Sequence, residues 1–210
     1  MRGPAGRCPN CNAPIKFRWS SAVQTVCESC RSVVVRHDVD LEVMGKVSDL
    51  PPDSSPILLG TEGRFDGRSF TVIGRIVYEH EDGGWNEWHL EFADGTSGWL
   101  SDAQAEFAVS GLVKPPGPLP AEKNIAVGYQ YPWEPALQVT TLTRARYAGV
   151  EGELPFEYWD KGEVLFADLR GYDERFATID YSDKPPLLFI GRFVEYDDLS
   201  LRNVRTYEGW

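Results

Sequence analysis

The most regular hydrophobic pattern in the chain lies between Trp85 and Phe92, where apolar and polar residues alternate. One set of alternate positions is apolar: Trp88, Leu90 and Phe92. The other set combines an aromatic ring, two carboxylates and an imidazole: Trp85, Glu87, His89 and Glu91. Because successive side chains of a strand point to opposite faces, this period of two predicts a β-strand with one buried and one exposed face. Asp94-Gly95 then predicts a tight turn into a second strand that carries Trp99.

Similar patterns recur through most of the chain. Residues 69–78 are β-branched or aromatic and mostly apolar on both faces, which predicts a central strand with a bend or close backbone approach at Gly74. Apolar residues also alternate between residues 103 and 109, and residues 187–196 predict a strand buried on both faces. No helical period of useful length is present. The sequence therefore predicts an all-β fold.

Two proline-rich segments, residues 48–56 and 114–120, have the composition of connectors between folded units. They divide the chain into a cysteine-containing ribbon, two β units and a tail: residues 1–46, 57–113, 121–196 and 197–210.

The two β units show a weak internal repeat. A shift of sixty-seven residues aligns three pairs, and a fourth pair is out of register by one position: Val72 with Val139, Gly95 with Gly162, Trp99 with Phe166, and Gly60 with Gly128. This self-similarity predicts a body of two similar halves, as tandem small β-barrel or sandwich units. The alternative is two unrelated meanders that share ordinary turn chemistry.

The four cysteines of the chain are Cys8, Cys11, Cys27 and Cys30, arranged as two C-x2-C turns. This spacing is typical of a structural zinc site, in which each turn presents two thiolates and two turns complete a tetrahedron. Alternating apolar residues between and after the pairs predict the short antiparallel strands of a zinc ribbon. Two disulfides, or a redox C-x-x-C, are the alternatives. A redox motif would head a helix in a βαβ pattern, and the chain has no such pattern. We therefore predict one zinc ion held by four cysteines, with no open position for catalysis.

The charge is distributed unevenly along the chain. The net charge is −11, although the first thirty-six residues carry six basic residues and one acidic residue. Ribbons can bind nucleic acid, but here the basic residues compensate the charge of the thiolates, and the acidic body would repel phosphate. Nucleic acid is therefore not predicted as a partner.

The chain shows neither a signal peptide at its start nor a long apolar segment. Its longest run of aliphatic or aromatic residues is Leu187-Leu188-Phe189-Ile190, which is too short to span a bilayer. We predict a cytoplasmic protein that is not embedded in a membrane, in which disulfides would be disfavoured.

Two classes of function fit these patterns. The first is a non-catalytic scaffold that binds a protein partner or a cationic ligand through an acidic, aromatic β-surface, with these candidate residues: Trp85, Glu87, His89, Glu91, Glu151 and Glu153. The structural alternative is that Arg75 forms an ion pair with Glu87, so that this surface is not available to a ligand. The second class is a hydrolase or other enzyme with a cleft between the two halves, which would use these residues: Glu87, His89, Glu151, Glu153 and Asp168. The common nucleophile, phosphate-binding and zinc-protease motifs are absent, and therefore the first class is favoured.

Several segments together resemble the bacterial domain-of-unknown-function family 4178, whose members often follow a zinc ribbon. The likeness covers residues 57 to about 195 and is carried by these motifs: Leu59-Gly60-Thr61-Glu62-Gly63, residues 66–75, Trp85-Asn86-Glu87-Trp88, Asp94-Gly95 with Trp99-Leu100, and residues 151–155. The sequence departs from the family pattern at Asn86, where the resemblance implies an aspartate. The resemblance also implies a partner in an assembly with membrane-stress coat proteins or polyamine-synthesis enzymes, and it carries no established activity.

Overall fold

The computed structural model describes residues 5–37, 40–46, 50, 54–131, 136–157 and 162–207. Strands and two short 3-10 helices make up the regular structure of these residues, so the predicted all-β class is confirmed. The predicted connector at residues 48–56 lies largely outside the described residues. Nothing among the helices of the described residues has the length and apolar character needed to cross a bilayer.

The strands of the described residues are numbered in chain order. Five belong to the N-terminal ribbon: β1 (Ala5–Arg7), β2 (Pro14–Lys16), β3 (Gln24–Val26), β4 (Ser32–His37) and β5 (Asp40–Lys46). Five belong to the first half of the body: β6 (Glu62–Phe65), β7 (Arg68–His80), β8 (Gly83–Phe92), β9 (Ser97–Ala103) and β10 (Glu106–Val113). Five belong to the second half: β11 (Gln130–Tyr131), β12 (Leu137–Leu154), β13 (Glu163–Arg170), β14 (Arg175–Asp180) and β15 (Leu187–Val194). The 3-10 helices are η1 (Glu122–Asn124) and η2 (Tyr196–Leu199).

The body is one closed barrel of eight antiparallel strands. The strands β7 to β10 form one four-stranded meander, and β12 to β15 form a second. The meanders join along two seams, β7 against β12 and β10 against β15. The two halves therefore share a single barrel, and neither half closes on itself.

The turns that lead into the two meanders have the same backbone hydrogen bonds. The amide of Gly60 donates to the carbonyl of Val72 at 2.8 Å, and the amide of Gly128 donates to the carbonyl of Val139 at 2.8 Å. Both glycines have positive φ, 86° and 88°. The shift of sixty-seven residues does not extend to the later turns, because residue 95 lies between β8 and β9 whereas residue 162 lies between β12 and β13. The internal repeat therefore stays an interpretation, supported at the lead-in turns.

Both faces of β8 are buried, for different reasons. Its apolar side chains pack on the outside of the barrel beneath Ile57 and Leu199, which come from the segments before and after the barrel: Trp88, Leu90 and Phe92. The outer face of the second meander is covered in the same way by Ile125 and Tyr131. On the opposite face, which we expected to be exposed, Trp85 packs on the interior cluster and His89 is fully buried, whereas Glu91 at the end of the strand lines an open groove. Barrel closure thus places the polar face inside.

The ribbon continues the barrel sheet at one end. The long strand β12 pairs first with β13, then with β7, and finally with β3, so that the order β5-β4-β3 extends from it. Val33 of β4 belongs to the interior cluster of the barrel. At this junction Gly74 faces Gly152, and a Cβ on Gly74 would lie 2.0 Å from the carbonyl oxygen of Glu153. The close backbone approach predicted at Gly74 is therefore present.

The turn between β9 and β10 contains local backbone strain. Gln104 and Ala105 both have positive φ, 52° and 67°, in a two-residue turn that favours Asn-Gly. We expect Ala105→Gly to raise the free energy of unfolding by about 1 kcal/mol, because glycine has no Cβ penalty in the left-handed region. Urea denaturation measures the change. The matched control, Ala103→Gly in the adjacent strand, should lower stability, and a loss in both variants would contradict the assigned turn.

Candidate functional site

The four cysteines lie together at the tip of the ribbon, with their Sγ atoms all within 4.8 Å of one another. The Sγ atoms of Cys8 and Cys30 are 3.7 Å apart, and those of Cys11 and Cys27 are also 3.7 Å apart. A tetrahedron of thiolates with bonds of about 2.3 Å to zinc has sulfur separations of about 3.8 Å. The cluster can therefore hold a metal ion with four protein ligands.

The two cysteine turns have the same backbone geometry. In the first turn the amide of Asn12 donates to the carbonyl of Cys8 at 2.8 Å, and in the second the amide of Arg31 donates to that of Cys27 at 2.9 Å. Asn12 and Arg31 both adopt positive φ, 62° and 60°. Asparagine adopts this conformation more readily than arginine does. The Ser32 hydroxyl lies 3.2 Å from the Cys30 sulfur and accepts a hydrogen bond from the Asn10 amide at 3.0 Å, which supports the cluster from outside.

The second candidate site is a cavity of about 50 Å³ inside the barrel. Its wall combines aromatic rings with hydroxyls and two carboxylates: Ile76, Tyr78, Glu87, Trp99, Ser101, Ser110, Phe156, Phe166, Thr178, Asp180 and Phe189. Tyr78 stacks on Trp85 with ring centroids 4.9 Å apart, and both rings meet Phe166 edge to face. Both meanders contribute to this wall, so the cavity exists only in the closed barrel.

Glu87 is the central polar group of this cavity. Its carboxylate accepts hydrogen bonds from the Trp85 indole at 2.9 Å and from the Ser101 hydroxyl at 2.9 and 2.8 Å. Burial, together with the smaller effect of the negative charges of Asp168 and Asp180, raises the pKa of Glu87 to about 7, although the two hydrogen bonds lower it. Glu87 is thus close to half ionised at neutral pH.

The second meander brings two more carboxylates toward Glu87. Burial raises the pKa of Asp168, whose carboxylate accepts a hydrogen bond from the Thr178 hydroxyl at 2.7 Å. Asp180 lines the cavity from β14. Within the described residues, the four cysteines are the one group of ligand atoms close enough for a metal ion.

His89 is separated from these carboxylates. Its Nδ1 lies 2.8 Å from the carbonyl oxygen of Glu153 and therefore carries the proton, because a carbonyl only accepts. Its ring packs between Trp19 of the ribbon and Trp99, with centroids 5.0 Å from each. Burial lowers the pKa of His89 to about 4, so the imidazole is neutral. The carboxylate–imidazole pair with Glu87 that the sequence allowed is not formed.

The remaining predicted site residues lie outside the cavity. The Glu153 carboxylate accepts hydrogen bonds from the amides of Arg18 and Trp19 at 2.6 and 2.9 Å and so attaches the ribbon to the barrel. Burial raises the pKa of Glu153, and these bonds oppose the shift. Glu151 is on the outer face, and Glu91 lines an open groove beside the ribbon. Glu87 and Asp168 therefore converge, whereas Glu153 does not join them.

Arg75 does not pair with Glu87, because the two side chains lie on opposite sides of the barrel wall. Its guanidinium donates two hydrogen bonds to the Asn86 side-chain oxygen at 2.9 and 2.7 Å and one to Glu151 at 3.3 Å. Asn86, where the resemblance implied an aspartate, thus serves as a neutral acceptor for a buried arginine.

Asp180, Ser101 and Thr178 were not predicted from the sequence as site residues. Thr178 and Asp180 are two residues apart on β14, so strand periodicity could have placed them on one face. Their position opposite Glu87 depends on pairing between distant strands and has no local signal.

Comparison with known proteins gives one match. A family model described as Domain of unknown function (DUF4178) matches residues 58–196, which include the whole barrel. No curated protein and no solved structure matches the chain.

Proposed function

The chain belongs to the family described as Domain of unknown function (DUF4178), and we propose that it is a non-catalytic module that binds a positively charged organic group inside its barrel. The observation that carries this proposal is the cavity in which Glu87 and Asp180 are enclosed by aromatic rings. Carboxylates and the faces of aromatic rings both attract cations, and this attraction increases when water is excluded. The bound group belongs either to a small molecule or to a basic side chain of a protein partner.

The electrostatics of Glu87 support a cation as the ligand. Its pKa is raised because its negative charge is buried near two other carboxylates. Strongly raised pKa values of this kind are common at functional sites. A cation in the cavity would offset both the desolvation and the repulsion, and would return Glu87 to its ionised form.

The ribbon has a structural role in this proposal. We infer that the metal is zinc, because four thiolates with tetrahedral spacing are its typical structural ligands and leave no position for substrate. The cysteines would supply the ligands Cys8, Cys11, Cys27 and Cys30, and the ion would fix the two turns. Free cysteines also suit a reducing compartment, and we propose the cytoplasm.

The net charge of −11 favours approach of a cationic ligand or basic partner. The assembly with membrane-stress or polyamine-related proteins, which the resemblance implies, is one setting in which such a partner would occur.

The test is binding of a simple organic cation, n-propylammonium, to the full chain. We expect Glu87→Gln to abolish binding and Glu151→Gln, on the outer face, to leave it unchanged. Because only ionised Glu87 attracts the cation, the affinity should fall about tenfold per pH unit below pH 7 and level off above it. Calorimetric titration measures the affinity. Equal binding by wild type and Glu87→Gln would refute the proposal.

The stability of the same variant tests the raised pKa of Glu87 on which this pH dependence rests. The pKa of Glu87 in the folded state, about 7, lies above its ordinary value of 4.5, so the folded state binds the proton more tightly. The stability that protonated Glu87 contributes is therefore fully present at low pH, and it is lost as pH rises through 7 and the carboxyl group ionises. Between about pH 5.5 and pH 8.5 we expect the stability of Glu87→Gln relative to wild type to increase by roughly 2 kcal/mol. A difference in stability that does not depend on pH would contradict the raised pKa of Glu87.

An enzymatic role has one observation in its favour. A carboxyl group with a pKa of about 7 is suited to general acid–base catalysis near neutral pH. The neutral, sequestered His89 and the small cavity favour binding over this alternative. Incubation of the full chain with the bound amine, followed by NMR, separates the two roles, because conversion of the amine would indicate catalysis.

A further inference from the structure

We propose that the barrel cavity selects a primary ammonium group on an unbranched alkyl chain over quaternary ammonium and guanidinium groups. This inference rests on the proposed function and specifies the chemical class of the ligand. It follows from the hydrogen-bonding capacity of the wall and from the size of the cavity.

The wall of the cavity leaves unused acceptor capacity on Glu87. An ionised carboxylate can accept about four hydrogen bonds, whereas Glu87 receives them from only two donors, Trp85 and Ser101. The Ser101 hydroxyl donates its single proton to Glu87, and the Thr178 hydroxyl donates its proton to Asp168. These donors are therefore already used, and a complementary ligand must bring donors of its own.

A primary ammonium group meets this requirement. It has three donors and no acceptor, and its charge matches the carboxylates. A quaternary ammonium group has no N–H donor and would leave the remaining acceptor positions of Glu87 without partners in a buried site, which is unfavourable. The hydrogen-bond inventory thus favours the primary amine.

The cavity volume sets the size of the group. The cavity of about 50 Å³ has room for roughly four water-sized groups, since each needs about 10–15 Å³. An ammonium group and a short methylene chain fill this space, with the methylenes against Phe166 and Phe189. Tetramethylammonium is too bulky in all directions, and guanidinium is a planar fork whose five N–H donors need acceptors at fixed positions around it.

The ammonium group has two possible sources, a free alkylamine and the side chain of a lysine on a partner protein. Both present the same chemistry to Glu87. They differ beyond the methylene chain, because a lysine carries a peptide backbone that must remain outside the barrel.

The Trp85 indole is a direct reporter for the experiment, because its N–H donates to Glu87 at 2.9 Å. The zinc-loaded full chain is labelled with 15N, and the Trp85 indole signal is assigned with Trp85→Phe. At pH 8 the signal is followed during titration with n-propylammonium, tetramethylammonium, n-propylguanidinium and Nα-acetyl-lysine methylamide. We expect n-propylammonium to bind at least tenfold more tightly than tetramethylammonium and n-propylguanidinium. Glu87→Gln should remove the response, and Glu151→Gln should retain it.

Each outcome distinguishes this inference from the function on which it rests. Equal or tighter binding of tetramethylammonium or n-propylguanidinium, lost in Glu87→Gln, would overturn the selectivity and leave the cation-binding function in place. No response to any cation would overturn both. Given selective binding of n-propylammonium, an equal response to the lysine derivative supports a partner's lysine as the source. A response to n-propylammonium alone supports a free alkylamine.

Discussion

Replacing Cys27 with serine is expected to unfold the ribbon and to destabilise the adjoining end of the barrel. The substitution removes one of four clustered thiolates, and structural zinc sites contribute on the order of 10–16 kcal/mol to folding. When the ribbon unfolds, Glu153 loses the amides of Arg18 and Trp19, and His89 loses the Trp19 ring. Hydrogen–deuterium exchange should show lost protection in β3, β4 and the C-terminal end of β12, while β13 to β15 stay protected.

Two controls accompany this variant. Metal analysis should find one zinc ion per chain in the wild type, and removal of the metal from the wild type with a chelator should reproduce the exchange pattern of Cys27→Ser. Ser29→Ala, within the same turn but without a ligand atom, should behave as the wild type. Unchanged protection of the ribbon in Cys27→Ser would show that the metal is not what holds it together.

The second large effect is expected for Gly191→Ala in the seam between β10 and β15. A Cβ at this position would lie 1.8 Å from the carbonyl oxygen of Val109 and 2.6 Å from the Cα of Ser110. Because both atoms belong to the backbone of the facing strand, the strands must separate. We expect a loss of about 3 kcal/mol or more in the free energy of unfolding, at the upper end of the usual cost of overpacking. Guanidinium denaturation with tryptophan fluorescence measures this loss.

The matched control is Gly111→Ala, in the same seam. Gly111 pairs with Ile190, and a Cβ on Gly111 would meet no atom within 4 Å. We therefore expect a change of at most about 0.5 kcal/mol. Similar stability of the two alanine variants would contradict the closed β10–β15 seam.

The parts of the fold that depend on local chemistry were predictable from the sequence. The cysteine turns are short, and the convergence of their four sulfur atoms follows from spacing alone. The alternation in β8 correctly separated Trp88 from Glu87, because strand periodicity assigns residues to two faces. It did not show which face would meet solvent. In this barrel the apolar face is covered by Ile57 and Leu199, and the polar face lines the interior.

The parts that depend on pairing between distant strands were not predictable. β12 is a single strand of 18 residues that contacts β13, β7 and β3 in turn. The proximity of Glu87 to Asp168 and Asp180 likewise requires the closed order of strands. A single sequence carries no local signal for that order.

The two seams also determine how the barrel can assemble. In an isolated meander, the two edge strands would have unpaired backbone N–H and C=O groups. Such exposed edges pair readily with other strands. Residues 114–136 connect the meanders, and such a tether holds one half near the other at an effective concentration on the order of millimolar. Domain swapping would form the same two seams between halves of two chains, each barrel then combining β7 to β10 of one chain with β12 to β15 of the other. The connector, and not the seams, therefore decides that the barrel and its cavity are built from one chain.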